Sequence, residues 1–236
     1  DHHTDPQDMN NMGGLKNKMP ITHATMLIST LAIAGVPFFS GFLSKDGILA
    51  AVLSYYYKYD GWTIILPIAG FGAAMITAFY MFRLIFKTFY GKPNKKEIYE
   101  HVHESPLPMT IPLMILSVLS LAFVFTANLN PLKSWGWFKA LIYKYGKVHN
   151  FLNMKYVNNG IESAHYDAMY LSLFVASIGI GLSILFYYLR KVNVDKVANI
   201  FNIVGLYSLS KNKFYIDKLY DTVLYKPFLK QTKIAS

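Results

Sequence analysis

Between residues 19 and 57 the chain has only two charged side chains, Lys45 and Asp46, in 39 residues. A straight helix of that length reaches about 58 Å at 1.5 Å per residue, nearly twice a bilayer core of about 30 Å. The segment must therefore break or bend. Gly35-Val36-Pro37 is where it should do so, because proline removes a backbone donor and clashes with the preceding turn, and glycine weakens the helix beside it. Two half-helices with an irregular joint result, and membranes tolerate such a joint only where it is buried in protein or lines a polar cavity.

Three further stretches, 61–82, 105–132 and 168–189, are long enough to cross a bilayer and lack the polar stripes of a soluble bundle. The composition agrees: 53% hydrophobic and 15% charged, against about 25% charged in globular domains. Disorder is excluded by the apolar load. With no cysteine there is no disulfide scaffold, zinc ribbon, iron–sulfur ligation or cysteine nucleophile. The expected fold class is all-α, a polytopic transmembrane helix bundle with one broken helix. Its segments are an N-terminal piece 1–18, the broken helix 19–57, helices 61–90 and 105–130, a loop 131–167 on the opposite side, a helix 168–190, and a basic tail 191–236.

The net charge of +10 does not form one dense basic face, so nucleic acid is not an expected partner. The lysines flank the spans. Counted by alternate sides, sixteen basic residues share the side of 1–18, 83–104 and the tail, and six lie opposite. The positive-inside rule puts both chain ends in the cytoplasm or its equivalent. Tyr55, Tyr56, Tyr57, Tyr59 and Trp62 fit an interfacial aromatic belt, as do Tyr187 and Tyr188. The chain starts at Asp1 without a leader, and an upstream portion is expected to be missing.

Lys45 is the first candidate for chemistry. A charge inside an apolar run costs about 2.5–3.5 kcal/mol by insertion scales, so it is compensated or used. Desolvation disfavours an ammonium, which makes a lysine beside a broken helix a candidate proton relay. The alternative is a snorkelling anchor, but 12 residues separate Asp46 from Lys58, roughly 18 Å of helix. Asp46 points about 100° away on a helix and is not automatically paired with Lys45. His23, near the other end of the same run, is a candidate proton feeder, since imidazole titrates near neutrality.

His2 and His3 beside Asp1 and Asp5 are too loosely spaced for a metal site. Near His101, His103 and Glu104, a helix start with Ser105 as cap is the simpler reading. Gly70 with Ala74, and Ser177 with Gly181, have the spacing of close helix packing. No phosphate loop, HExxH or nucleophile elbow occurs.

Met12-Gly13-Gly14-Leu15 and the run Ala34-Gly35-Val36-Pro37-Phe38-Phe39-Ser40-Gly41-Phe42-Leu43-Ser44-Lys45-Asp46 resemble the largest antiporter-like membrane subunit of respiratory complex I. That is the family of NADH-quinone oxidoreductase chain L and NADH dehydrogenase subunit 5. Thr77-Ala78-Phe79-Tyr80-Met81-Phe82-Arg83, His103-Glu104-Ser105-Pro106 and Asn212-Lys213-Phe214-Tyr215-Ile216-Asp217-Lys218-Leu219-Tyr220-Asp221 extend the resemblance across almost the whole chain. It implies the C-terminal part of a non-redox, proton-translocating subunit of an NADH:quinone oxidoreductase.

Within that resemblance Lys45 is the lysine of the output half-channel and Asp46 its acidic follower. The input glutamate, a central lysine and another broken helix would precede Asp1, and a lateral helix with its anchoring span would follow Pro227. No cofactor is implied in this chain; NADH, FMN, iron–sulfur clusters and quinone belong to other subunits. The implied partners are other membrane-arm subunits and the lipid bilayer, not a stand-alone monomer. The implied location is a bacterial inner membrane, with an organellar inner membrane as the alternative. Val36 stands where a bulkier residue is expected. A subunit of a multisubunit cation/proton antiporter is the runner-up, although such subunits usually carry glutamate at the position of Asp46. A purely structural module, with Lys45 mute, is the third reading.

Overall fold

A computed structural model describes residues 9–93, 95–121, 154–194, 197, 199 and 205–225. The long uncharged run forms two helices, α1 (Pro20–Ala34) and α2 (Ser40–Tyr59). Gly35 ends α1 in the left-handed conformation (φ 78°, ψ 37°). Its N–H donates to the Ala32 carbonyl and that of Val36 to the Leu31 carbonyl, both at 3.1 Å. This 5→2 and 6→1 pair is a Schellman cap, in which glycine carries the positive φ that other residues adopt at a cost. Pro37 follows at once and cannot rejoin the helix.

α3 (Ile65–Phe89) enters through a tight turn at Gly61–Ile64, followed by the short α4 (Lys96–His101) and by α5 (Leu107–Leu119). α6 (Met154–Ser183) continues into a wider turn, Ile184–Tyr188. Gly61–Phe89 and Ser163–Tyr188 are each long and apolar enough to cross a membrane. Contacts fix the directions. His23 at the start of α1 meets Phe89 and Tyr90 at the end of α3, and Phe86 and Tyr90 meet Tyr188 at the end of α6. The start of α1, the ends of α3 and α6 and the start of α5 therefore share one end of the bundle.

The interior interleaves alanines with leucine and phenylalanine side chains. Ala50, Ala164 and Ala168 are buried with Leu49, Leu53 and Phe71, and Ala34 and Ala78 with Phe82. A Cβ on Gly179 would overlap the Met75 carbonyl of α3. Large apolar residues such as Ile68, Ile76, Phe174, Leu113 and Ile115 lie outside. The small residues at the contacts and the apolar surface outside suit helix association in lipid, where close backbone approach replaces the hydrophobic driving force.

Three expectations differ. The helix expected over 105–130 stops at Leu119: Ser120 is in a turn and Leu121 forms an isolated bridge with Phe39. The Ser120 hydroxyl bonds back to the Leu116 carbonyl, and the Ser120 carbonyl accepts the Ser40 N–H at 2.8 Å, so a contact distant in sequence ends the helix. Residues 122–130 lie outside the described residues. Of the loop expected over 131–167, residues 154–167 are helical and the rest lies outside the described residues. Charges had bounded the span, but Gly160 against Ser54, and the buried Ala164 and Ala168, give this stretch a continuous packing face. Finally, Gly181 has open space around it and Ser177 is exposed, so the close approach is at Gly179 instead.

A second unit comprises residues 191–236. Its described part includes α7 (Leu206–Lys211) and α8 (Ile216–Tyr220). Between them Lys213, Phe214 and Tyr215 all have positive φ, 52–56°. Asn212 ties the bend by donating to the Ser208 carbonyl and the Tyr215 hydroxyl, and an exposed Lys213–Asp217 ion pair spans 3.2 Å.

Candidate functional site

The break between α1 and α2 leaves carbonyls at the end of one helix and N–H groups at the start of the next. Leu31 and Ala32 are answered by the Schellman cap, and the Ser40 N–H by the carbonyl of Ser120, just after α5. The Ile33 carbonyl is answered by Lys45, whose Nζ donates to it at 2.9 Å. The lysine folds back from the second turn of α2, and its Cδ would lie 3.2 Å from a Cβ on Gly35. A cation at a helix C-terminus also meets the negative end of the helix dipole. Gly41 lets the two half-helices approach, since a Cβ there would overlap the Ala32 carbonyl.

Asp46, the next residue, points to a different face of α2. It is 4% exposed, and its Oδ2 lies 3.0 Å from Nδ1 of His165 on α6, which is 26% exposed. Asp46 Oδ1 is buried with no hydrogen-bond partner among the described residues. One turn of α2 thus sends a cation to the end of α1 and a carboxylate to an imidazole. Towards the C-terminal end of α2, the Tyr57 hydroxyl donates to Asp167 Oδ2 at 3.1 Å.

His23 is not brought to this cluster. It lies ten residues before Ile33, about 15 Å along α1. It is buried at 7% exposure against Phe89 and Tyr90, with Nε2 unpartnered among the described residues. Among the described residues no group of three His, Asp or Glu could hold a metal; His2 and His3 lie outside them.

Glu104 is not part of a simple helix start. The chain enters α5 through Pro106 rather than Ser105. The Glu104 carboxylate reaches the first turn of α1 and accepts from the N–H groups of Ile21 (2.7 Å) and Thr22 (3.3 Å) and from the Thr22 hydroxyl (2.6 Å). Ser105 N–H is a fourth donor, at 3.1 Å. Desolvation pushes this carboxyl up, but the bonds from the Thr22 hydroxyl and the three backbone amides outweigh it and hold Glu104 below its ordinary value.

Two residues were missed by sequence reasoning. His165 fell in a stretch bounded as loop by its charges, and the small-residue spacing of Gly160, Ala164 and Ala168 was the signal that could have placed it on a helix. For Glu104, the absence of any acidic or capping residue in the first turn of α1 left amides needing an acceptor from elsewhere.

Residues 1–77, which include the break, Lys45 and Asp46, match the transmembrane family described as NADH:quinone oxidoreductase/Mrp antiporter. NADH-quinone oxidoreductase subunit L of Neisseria meningitidis is 35% identical over 95% of this chain and 35% of its own length. The chain is a homologue of these oxidoreductase subunits. F(420)H(2) dehydrogenase subunit L of Methanosarcina mazei is 33% identical over 93% of this chain and 33% of its own length. NADH-ubiquinone oxidoreductase chain 5 of Allomyces macrogynus is 33% identical over 93% and 34%. The chain spans about a third of the length of the curated relatives it matches. It is a multi-pass membrane protein.

Proposed function

We propose that this chain is the C-terminal part of a proton-translocating membrane-arm subunit of respiratory complex I, in which Lys45 relays protons at the break between α1 and α2. The observation that carries the reading is the Lys45–Ile33 contact. An ammonium held in an apolar run by a backbone carbonyl, with no carboxylate paired to it among the described residues, is a group whose proton can leave while the fold retains its cap. Lys45 exchanges the proton, the break gives water or a polar joint access to it, and Asp46 receives it on the neighbouring face of α2.

The subunit assembles with other membrane-arm subunits in lipid, coupling quinone reduction to pumping. NADH, FMN, iron–sulfur clusters and quinone are bound by those other subunits. The end of the bundle carrying Lys16 and Tyr90 faces the cytoplasm or its equivalent, in a bacterial inner membrane or an organellar one. His23 stands at that end as an entry group.

Lys45→Ala in the complete subunit should lower pumping and coupled turnover with assembly retained. Lys45→Arg should also impair pumping, because a guanidinium hardly deprotonates in a protein. Parental proton-to-electron stoichiometry and turnover in Lys45→Arg would overturn the relay. A second reading, a cation/proton antiporter subunit, is favoured by the family description, which spans both kinds of protein. Sodium-dependent proton exchange without quinone reduction would establish it instead.

A further inference from the structure

We propose that His165 is the proton acceptor of Asp46 and carries the proton from the bundle interior to the end marked by Tyr57; this rests on the relay reading above. Three observations on the site carry it. His165 Nδ1 is within 3.0 Å of Asp46 Oδ2, a distance at which a proton passes directly. The second carboxylate oxygen is buried without a partner among the described residues, a state relieved when that oxygen holds a proton or a water. Exposure rises from 4% at Asp46 to 26% at His165, so the imidazole is the outer member of the pair and the carboxylate the inner one.

The step balances without a co-reactant. A protonated Asp46 gives its proton to His165 Nδ1, leaving a carboxylate beside an imidazolium. The ring then loses one of its two protons to water, and rotation of the ring returns an unprotonated nitrogen to Asp46. The titratable groups in contact with this ring are Asp46 from α2 and Tyr166 from α6 itself, while Tyr57 and Asp167 pair with each other. Lys45 precedes Asp46 but is turned to Ile33. Along α3 the stretch 65–79 has no titratable side chain.

The test compares His165→Gln, Lys45→Arg and the parent in the assembled complex in membrane vesicles, recording proton release and quinone reduction against external pH. Glutamine keeps a hydrogen bond to Asp46 but carries no proton. His165→Gln should slow coupled turnover about 100-fold, the lower end of what a positioned proton-transfer group contributes. The dependence of proton release on external pH should also change shape relative to the parent, which a purely structural role would not cause. Parental release and profile in His165→Gln, with Lys45→Arg impaired, overturn the role of His165 and leave the Lys45 relay standing. Parental behaviour in Lys45→Arg overturns the relay and this proposal with it. If His165→Gln blocks assembly, His165→Ala with added imidazole decides: restored proton release supports the role, and no restoration overturns it.

Discussion

The Lys45 ammonium and the Ile33 carbonyl oxygen, 12 positions apart in sequence, lie 2.9 Å apart across the break between α1 and α2. One side chain therefore serves as helix cap and, in the proposed relay, as proton carrier, and the two roles separate experimentally. Lys45→Met should lose both, costing about 1 kcal/mol in stability for the missing cap bond. Lys45→Arg should keep the thermal midpoint of the purified complex and still fail to pump. Equal loss of stability in both would mean that the cap bond is not what Lys45 contributes to the fold.

Gly41 sits where the half-helices touch, and a methyl group there overlaps the Ala32 carbonyl. Gly41→Ala should force the helices apart and cost about 1–3 kcal/mol. The readout is the yield and thermal midpoint of assembled complex, with Ser44→Ala, at an exposed position on the same helix, as the comparison expected to stay within about 0.5 kcal/mol.

Gly179 and Gly181 should respond differently to added bulk. Gly179→Val drives its side chain into the Met75 carbonyl and should unseat α6 from α3, whereas Gly181→Val meets open space. Protease resistance of the detergent-solubilised chain should fall in the first and not in the second. The reverse order would mean that Ser177 and Gly181 form the packing stripe.

Glu104 sets an acid limit on the tie between α5 and α1. Its carboxyl is held below its ordinary value of 4.5, so its contribution is fully present above that value and is lost as pH falls through the lower folded value. Parent protein should lose thermal stability on acidification below about pH 4.5. Glu104→Gln should begin less stable at neutral pH and lose less over the same interval. A parallel decline in the two would assign the acid sensitivity to other carboxylates.

Length and one proline were enough to locate the break, because no bilayer accommodates a straight helix over 19–57. The cost of a charge in that run likewise singled out Lys45. What the sequence left hidden depends on contacts between segments far apart in the chain. Nothing local to Ser120 announces that its carbonyl will bond to Ser40 and end α5. His165 looks like a loop residue until the small faces of α6 and α2 are seen to meet. Glu104 reads as part of a turn before α5 until the bare amides of α1 find it.

α5 is fastened to the neighbouring segment at two heights: Glu104, just before it, holds the first turn of α1, and Ser120, just after it, holds the first turn of α2. The thirteen residues of α5 therefore act as a gauge block. They fix how far above the basic end of the bundle the gap in the chain opens. Adding or removing a turn of α5 would move one fastening by about 5.4 Å and pull the Lys45 ammonium away from the Ile33 carbonyl that holds it at its depth.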